Sequence, residues 1–502
     1  MKAIYSCLLT LIILPLFSTA QLQFAKIFSD NMILQRDKVI HIWGKGSPMN
    51  QVSITFGGET KKAVVNKDSS WTVYFKSQKA NKQPQTIFAS AGSQKDSIKN
   101  ILIGDIWLCI GQSNMEFPIS KELNYAIEKA NANRPLIRLY NPTYAGKNTY
   151  NILFTDSIVS NLTVDNFYKG RWQNCDSVSF KSMSAVAYYF GKEITGSLQI
   201  PIGLMNLSIG GAPLESFISK EALKKSKQFS KKVNGDWIIN TALPVWIRER
   251  GMQNVGPIKN MHKDEQGNNH SFKPGFAYEA GIEPILNMPI KGVLCYQGES
   301  NAQEIERVDE YSQLSLLLIN DLRKKWHQQE LPFLYTQLSS IDTIKYKSQL
   351  WPEFRDEQRK MLNLIPSSGM AVTSDIGFKN DVHPTNKKTV GERLALWALH
   401  YTYFKNTIPS GPLVQSAVYK SGKIIIKFKY VDGGLATSDS KTLQGFSINK
   451  NTEIPAVIDQ NNIIIKTTER PKFVYYGWLP YTNANLINKS LLPASTFKIK
   501  VQ

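Results

Sequence analysis

Continuous apolar runs separated by stretches of helical period are the feature that most constrains this fold. Five such runs lie in the middle of the chain, at residues 106–110, 202–207, 290–296, 331–338 and 370–373. Apolar side chains recur at helical spacing between several of them. Strands that are apolar on both faces and alternate with amphipathic helices are typical of a parallel sheet covered by helices. The sequence therefore predicts an α/β domain over residues 101–407, with insertions near 141–180 and 224–276.

The segments on either side of this domain have the sequence pattern of β-strands. Residues 21–100 and 408–502 contain short runs in which apolar and polar residues alternate, as in Val52-Ser53-Ile54-Thr55-Phe56, with turn residues between the runs. Short strands with this punctuation favour an antiparallel sandwich. We expect an N-terminal and a C-terminal β-sandwich-like domain.

The first twenty residues predict export. Lys2 precedes an apolar run that extends from Cys7 to Phe17, and small residues follow up to Ala20. A positive end, a short apolar core and small residues before the cut are typical of a secretory signal peptide, residues 1–20. No later stretch reaches the ~20 apolar residues that a transmembrane helix needs. We expect a periplasmic or secreted protein with no membrane anchor in the mature chain.

Charge and cysteine content narrow the partners. The chain has 60 Lys and Arg against 40 Asp and Glu among 502 residues, a net charge of +20. These basic residues are scattered, which, together with export, disfavours a nucleic-acid partner. Cys109 and Cys295 lie in apolar runs and are expected to be buried thiols, whereas Cys175 is expected in a polar loop. A disulfide between any two stays open. Spacings such as Cys-x-x-Cys are absent, so the cysteines predict no zinc site.

Polar clusters follow four of the apolar runs. They occupy residues 111–116, 208–213, 297–301 and 374–384. Ligands of open α/β sheets bind at the carboxyl ends of the strands. Together these clusters offer a serine, a Gly-Gly turn, an amide and carboxylate group, and an Asp/His pair. That combination predicts a hydrolase.

Ser113 and His383 are the candidate nucleophile and base. Ser113 follows a glycine that permits a tight turn at a strand end, and a serine needs a base to take its proton. His383 stands beside an acid and a proline on a strand-end loop ahead of a helix. The other histidines lie in a strand, in helical stretches or in the polar insertion, where we expect flexible surface positions; they are His41, His327, His400, His262 and His270.

Acyl transfer also needs N–H donors for an oxyanion and an acid that orients the base. The amides of Ser113 and Gly211, with a side-chain amide from Gln297 or Asn301, are the candidate donors. The third triad member stays open. The candidate acids are Asp381, Glu299 and Asp375.

At these residues the sequence resembles the sialate O-acetylesterase family of the SGNH/GDSL hydrolase superfamily. The similar blocks are residues 104–107 with 111–116, 296–302 and 380–384, together with 28–36, 485–488 and 492–495. The resemblance implies a metal-independent serine esterase, without a cofactor, that removes acetyl groups from carbohydrate hydroxyls. It implies that Ser113 is the nucleophile, that His383 is the base and, most naturally, that Asp381 is the orienting acid. It places oxyanion roles on Gly211 and on the block that contains Gln297 and Asn301.

The pocket that recognises the sugar is the least specified part of the resemblance. The predicted substrate-binding residues are Gln112, Asn114, Met115 and Phe217. Phe217 stands where the family pattern has Trp, and Phe378-Lys379 replaces a more usual Asp-Pro. These departures bear on the substrate and not on the chemistry.

The sequence therefore predicts a carbohydrate O-acetylesterase with an SGNH-like catalytic domain. An acetylated carbohydrate is the expected partner, with O-acetylated sialic acid first and acetylated xylan or another plant glycan as the alternative. A non-catalytic glycan-binding protein is the remote alternative.

Overall fold

The computed structural model describes residues 21–450 and 452–502, so the predicted signal peptide at residues 1–20 lies outside the described residues. The α-helices of the described part are α1 (Ser113–Glu116), α2 (Tyr125–Ala130), α3 (Asp156–Val159), α4 (Ala185–Leu198), α5 (Lys220–Lys225), α6 (Val245–Val255), α7 (Ile305–Lys325), α8 (Trp351–Leu364) and α9 (Lys387–Trp397).

The strands fall into three stretches of the chain. The N-terminal stretch has β1 (Gln23–Phe24), β2 (Ile33–Gln35), β3 (Ile40–Lys45), β4 (Gln51–Phe56), β5 (Glu59–Val64), β6 (Ser70–Phe75), β7 (Asn81–Ala91) and β8 (Gln94–Gly111). The middle stretch has β9 (Arg134–Tyr140), β10 (Thr143–Tyr144), β11 (Tyr168–Lys169), β12 (Trp172–Cys175), β13 (Ile202–Asn206), β14 (Lys263–Asp264), β15 (Gly267–Asn268), β16 (Gly292–Tyr296), β17 (Phe333–Thr336) and β18 (Ser368–Ala371). The C-terminal stretch has β19 (Leu413–Lys420), β20 (Lys423–Lys429), β21 (Leu435–Thr437), β22 (Phe446–Ser447), β23 (Ala456–Asp459), β24 (Asn462–Lys466), β25 (Phe473–Tyr476), β26 (Leu486–Asn488) and β27 (Phe497–Lys500).

A parallel sheet forms the centre of the protein. Its strands run in the order β12-β9-β13-β8-β16-β17-β18, and the pairs from β9 to β18 are parallel. The central strands β13 and β16 are buried along their whole length. Strands buried on both faces need helices on both sides, and the amphipathic helix α4 precedes β13 in the chain while α7 follows β16. The predicted α/β class is confirmed.

One long strand joins the N-terminal β-structure to this sheet. The first half of β8 pairs antiparallel with β7, and its second half pairs parallel with β13 and β16. The change of sequence texture predicted near residue 101 therefore falls inside a strand and not in a linker. One hydrophobic core accordingly extends from Leu22 in the N-terminal stretch through the central sheet.

The C-terminal stretch has a hydrophobic core of its own. Its sheets run in the orders β19-β20-β24-β23, β21-β26 and β22-β25-β27, and they enclose Ile426, Val474 and Phe497. The buried guanidinium of Arg355 in α8 joins this region to the central domain. It donates to the backbone oxygens of Gly477 (3.1 Å) and Pro480 (3.2 Å).

The structure corrects the prediction for one of three cysteines. Cys175 was expected in a polar loop, but it ends strand β12 and is buried. Cys109 and Cys295 are buried as predicted, and all three thiols are free in the structure.

Within residues 21–450 and 452–502, no helix has the length and apolar character that crossing a membrane requires.

Candidate active site

The turn that carries the candidate nucleophile Ser113, residues 111–116, is called the nucleophile turn here. It begins with a glycine that no other residue can replace without strain. Gly111 at the end of β8 has φ +129°, and a Cβ there would lie 2.1 Å from the carbonyl oxygen of Tyr296. Only glycine adopts such a backbone at no steric cost. The next N–H, that of Gln112, donates to the same Tyr296 oxygen at 3.0 Å. The chain then turns, and Ser113 begins the short helix α1 at the carboxyl end of the sheet.

The parallel register brings three of the predicted clusters to one edge. Cys109 of β8 pairs with Asn206 of β13, and Gly111 of β8 pairs with Tyr296 of β16. The segments that follow these strands therefore leave the sheet side by side. Ser113 is partly exposed there, and among the described residues its hydroxyl has no hydrogen-bond partner.

Gln112 fastens the nucleophile turn to the cluster after β16. Its side-chain oxygen accepts hydrogen bonds from the N–H groups of Gly298 (3.4 Å) and Ser300 (3.2 Å) and from Nε2 of Gln297 (3.2 Å). Ser300 in turn donates its hydroxyl to the carbonyl oxygen of Gly211 at 2.8 Å. The Gly-Gly turn, the serine turn and the amide cluster thus form one connected unit.

Two backbone N–H groups are available for an oxyanion. Gly211 has φ +78°, and the Phe272 ring would lie 2.9 Å from a Cβ at that position. Within the described chain, the N–H groups of Ser113 and Gly211 donate to no protein acceptor. Both belong to turns at the carboxyl edge of neighbouring strands, which is the arrangement that an acyl-transfer site requires.

The amides of Gln297 and Asn301 are already engaged with the protein. Nε2 of Gln297 donates to Oδ1 of Asn301 (2.8 Å) and to the backbone oxygen of Ala212 (3.3 Å). Nδ2 of Asn301 donates to Glu215 at 3.0 Å. Both side chains are buried. In this structure they position the segment around Gly211, and the oxyanion role predicted for them would require Gln297 or Asn301 to give up such a bond.

Asn114 links the nucleophile turn to the loop that carries His383. Its Nδ2 donates to the backbone oxygen of Val382 (2.9 Å) and to Oε1 of Glu299 (2.5 Å). Its Oδ1 accepts a hydrogen bond from Nζ of Lys387 at 2.5 Å. One buried amide therefore holds parts of three predicted clusters together.

Glu299 and Lys387 form a buried pair across this amide. Burial raises the pKa of Glu299 to about 7 and lowers the pKa of Lys387 to about 7. Oε2 of Glu299 is buried without a hydrogen-bond partner. Nζ of Lys387 also lies over the rings of Phe117 (4.8 Å) and Tyr296 (5.5 Å), which stabilises its charged form.

Asp381 is the acid that lies beside His383. Its Oδ1 is 3.6 Å from Nδ1 of the imidazole, which is too long for a hydrogen bond, and it accepts the backbone N–H of His383 at 2.9 Å. The ion pairs of the described residues join His383 to Asp381 and not to Glu299. Asp375, the other candidate acid, is held by Arg393 through two contacts of 2.7 Å.

The charges around His383 act in opposite directions. Burial, followed by the positive charges of Lys387 and Lys121, lowers the pKa of His383, while Asp381 raises it. A lowered pKa keeps the imidazole neutral, and a neutral imidazole is the form that acts as a general base.

Several side chains predicted to contact the substrate are buried in this structure. Phe217 and Met115 are fully buried, so neither side chain lines an open sugar pocket. Gln112 and Asn114 are also buried, and their polar atoms are used inside the protein. His270, expected at a flexible surface position, is 1% exposed. Its insertion packs against the central domain.

Two buried lysines at this edge of the sheet were not predicted from the sequence. Lys387 stands in the first turn of α9, where a cation opposes the helix dipole, and this mismatch was the available signal. Lys232 of the insertion contacts Glu215 (2.8 Å) and Glu310 (2.6 Å). No local pattern marks that second network, because its members lie far apart in the chain.

In residues 21–450 and 452–502, no group of three or more His, Cys, Asp or Glu side chains is placed to hold a metal ion.

The chain is similar to known carbohydrate esterases over most of its length. The family described as "Carbohydrate esterase, sialic acid-specific acetylesterase" matches residues 272–400. The sialate O-acetylesterases of Pongo abelii and Homo sapiens are each 30% identical over 442 residues, which cover 81% of this chain and 76% of the relative. The chain belongs to the sialate O-acetylesterase family. It is a carbohydrate O-acetylesterase, a carboxylic ester hydrolase.

A solved structure of the same class extends this similarity to the fold. A carbohydrate acetylesterase from Xanthomonas citri superimposes with a TM-score of 0.77 at 26% identity, covering 95% of this chain and 99% of that chain. The family match at 272–400 contains Gln297, Glu299, His383 and Lys387 but not Ser113. The family membership therefore rests on the full-length relatives as well as on this segment.

The opposing charges around His383 predict opposite shifts in the pH dependence of activity. Lys387→Met removes a positive charge, so the pKa of His383 rises and the acid limb of the kcat/KM profile moves to higher pH. Asp381→Asn removes a negative charge, so the acid limb moves to lower pH. Lys387→Met also leaves Oδ1 of Asn114 unpaired, which lowers kcat about tenfold. The measurement is the profile of kcat/KM against pH for each variant.

The same profile, measured also for Glu299→Gln, decides between Asp381 and Glu299 as the orienting acid. If Glu299→Gln moves the acid limb to lower pH while Asp381→Asn leaves it in place, the orienting acid is Glu299 and the assignment made from the geometry fails.

Proposed function

We propose that this esterase removes acetyl groups from the hydroxyls of O-acetylated sialic acid, with Ser113 as nucleophile, His383 as general base and Asp381 as the orienting acid. The observation that supports the proposal is that Asn114 connects the serine turn to the histidine loop. Asn114 follows Ser113 in the chain and binds the backbone oxygen of Val382, next to His383. This contact keeps the serine turn and the histidine loop at the same end of the sheet. The names of the full-length relatives support sialate as the substrate.

The reaction proceeds in two acyl-transfer steps. Ser113 Oγ attacks the acetyl carbonyl while His383 takes the hydroxyl proton, and the N–H groups of Ser113 and Gly211 donate to the oxyanion. The tetrahedral intermediate expels the sugar hydroxyl, which receives the proton from His383. Water then attacks the acetyl-enzyme with His383 again as base, and acetate leaves. Asp381 stabilises the imidazolium that forms in each step.

The β-rich stretches at either end are proposed to be sandwich-like domains that brace the catalytic domain. Apart from the parallel pairing of β2 with β8, their paired strands are antiparallel, and Arg355 joins the C-terminal stretch to α8. The proposed catalytic residues Ser113, Asp381 and His383 lie outside both stretches.

Ser113→Ala tests the nucleophile. Because the variant has no hydroxyl to acylate, acetate release from O-acetylated sialic acid and from a chromogenic acetyl ester falls by about 10⁴-fold or more. Ser120→Ala, an exposed serine in the turn after α1, is the matched control and retains wild-type activity. Wild-type turnover by a folded Ser113→Ala protein would overturn the assignment. Parallel assays on acetylated xylan show which sugar is preferred.

We also propose that the enzyme is exported and is cleaved after Ala20. The basis is the sequence pattern of Lys2, the apolar run up to Phe17 and the small residues that follow it. The mature protein then begins at Gln21. Amino-terminal sequencing of protein recovered from the periplasm or the medium of an expressing cell checks this. Recovery of the full-length chain in the cytoplasm would contradict it.

A further inference from the structure

Arg250 is a buried arginine that lacks a hydrogen-bond partner. It lies in helix α6 of the polar insertion and is 6% exposed. Its Nε and Nη1 are buried with no hydrogen bond, and among the described residues it forms no ion pair with a carboxylate. The guanidinium lies over the rings of Trp246 (4.7 Å) and Tyr150 (5.6 Å), which fix its orientation but accept no conventional hydrogen bond.

Each of the other buried arginines of the described chain donates at least one hydrogen bond, although Nε of Arg138 and of Arg355 is unpaired like that of Arg250. Arg355 and Arg323 donate to backbone carbonyl oxygens, and Arg138 donates to Pro135 and Asn100. A guanidinium keeps its charge at every physiological pH and is costly to bury without an acceptor. Arg250 therefore has an unmet requirement for an anion or another acceptor.

Two sets of contacts connect Arg250 to the Gly210-Gly211 turn. On one side, the Tyr150 ring covers the guanidinium, and its hydroxyl would lie 2.9 Å from a Cβ on Gly210. On the other side, the His270 ring packs on Phe272 with centroids 4.9 Å apart, and Phe272 would lie 2.9 Å from a Cβ on Gly211. The positive charge of Arg250 acts on His270 and, together with burial, lowers the pKa of that imidazole to about 3.

The protein groups around this position do not neutralise Arg250. His270 is uncharged at neutral pH because of its lowered pKa. Glu116, which approaches Gly210 from the nucleophile turn, is already paired with Lys147 at 2.9 Å and accepts a hydrogen bond from Tyr144. The local field beside the proposed acetyl site therefore favours a negative group on the substrate.

We propose that Arg250 binds the carboxylate of an acetylated sugar acid while the acetyl ester lies over Ser113. The proposal rests on the serine-esterase function proposed above and adds the substrate class that this site selects. Guanidinium and carboxylate form short, charge-assisted hydrogen bonds of fixed geometry. Two sources supply this chemistry, sialic acids and uronic acids of plant glycans. Trp246 and Tyr150 hold the guanidinium plane, so the cation is positioned before the substrate arrives.

Paired substrates test the proposal directly. The first pair is an O-acetylated sialic acid and the same compound with its carboxylate capped as the amide, and the second pair is an acetylated glucuronic acid and its amide. The kcat/KM ratio of acid to amide is measured for wild type, Arg250→Lys and Arg250→Gln. Wild type favours the acid, and Arg250→Gln lowers that ratio about 10- to 100-fold. Arg250→Lys retains part of the preference, because it keeps the charge but not the planar fork. The pair with the larger ratio identifies the sugar acid.

The matched control is Arg248→Gln on the same helix. Arg248 is partly exposed and donates to the backbone oxygen of Leu243, so its removal leaves the acid-to-amide ratio at the wild-type value. Thermal midpoints of all variants show whether each protein is folded. Because the lysine variant keeps a cation at this position, it still tests the proposal if Arg250→Gln fails to fold.

Each outcome has a distinct meaning. Equal kcat/KM of wild type for acid and amide, or an unchanged ratio in Arg250→Gln, means that Arg250 is only a packing residue and overturns the inference. In that case, Ser113-dependent acetate release would still support the esterase mechanism. Loss of the acid preference in Arg248→Gln as well would also overturn the inference, since the effect would then belong to general surface charge.

Discussion

The side-chain amide of Asn114 is the interaction on which the rest of the site depends. It connects Asn114, the residue after the proposed nucleophile Ser113, to Glu299, to Lys387 and to the backbone beside His383. Each contact is buried, and a buried polar group that loses its partner costs about 1–3 kcal/mol. The serine turn and the histidine loop follow different strands, β8 and β18, with β16 and β17 between them in the sheet. A hydrogen-bonded bridge of this kind fixes two separate loops more narrowly than apolar packing, because it specifies both direction and distance.

A second buried network holds the segment around Gly211, the proposed oxyanion donor, in place. Asn301 binds Glu215, and Glu215 is paired with Lys232 of the long insertion. Removing one partner from such a pair would leave a buried charge uncompensated, which is strongly destabilising. The insertion is therefore part of the catalytic domain's framework and not a loose cover. It also supplies Arg250, so the segment that braces the site carries the group proposed to select the substrate.

Much of the fold, and the place of the candidate reactive groups in it, was predictable because both follow local rules. Apolar runs with helices between them identified the parallel sheet, and the carboxyl ends of its strands located Ser113, Gly211 and His383. The side-chain environments that the sequence did not predict share a physical cause. Phe217 and Met115 are near the site in sequence, but whether a side chain faces the core or the substrate depends on packing between distant segments. Lys232 owes its role to Glu215 and Glu310, which are far away in the chain, and no local pattern reveals them. The strand that crosses residue 101 shows the same limit for domain boundaries.

The measurement that tests the account most directly is a double-mutant cycle on Ser113 and His383. The kcat/KM for a chromogenic acetyl ester is determined for Ser113→Ala, His383→Ala and the variant with both changes. Groups that act as one unit are strongly non-additive, because once the serine hydroxyl is absent the base has no proton to take. The account predicts that the double variant is no slower than the slower of the two single variants. Losses that multiply would contradict it, since they would mean that the two residues act independently.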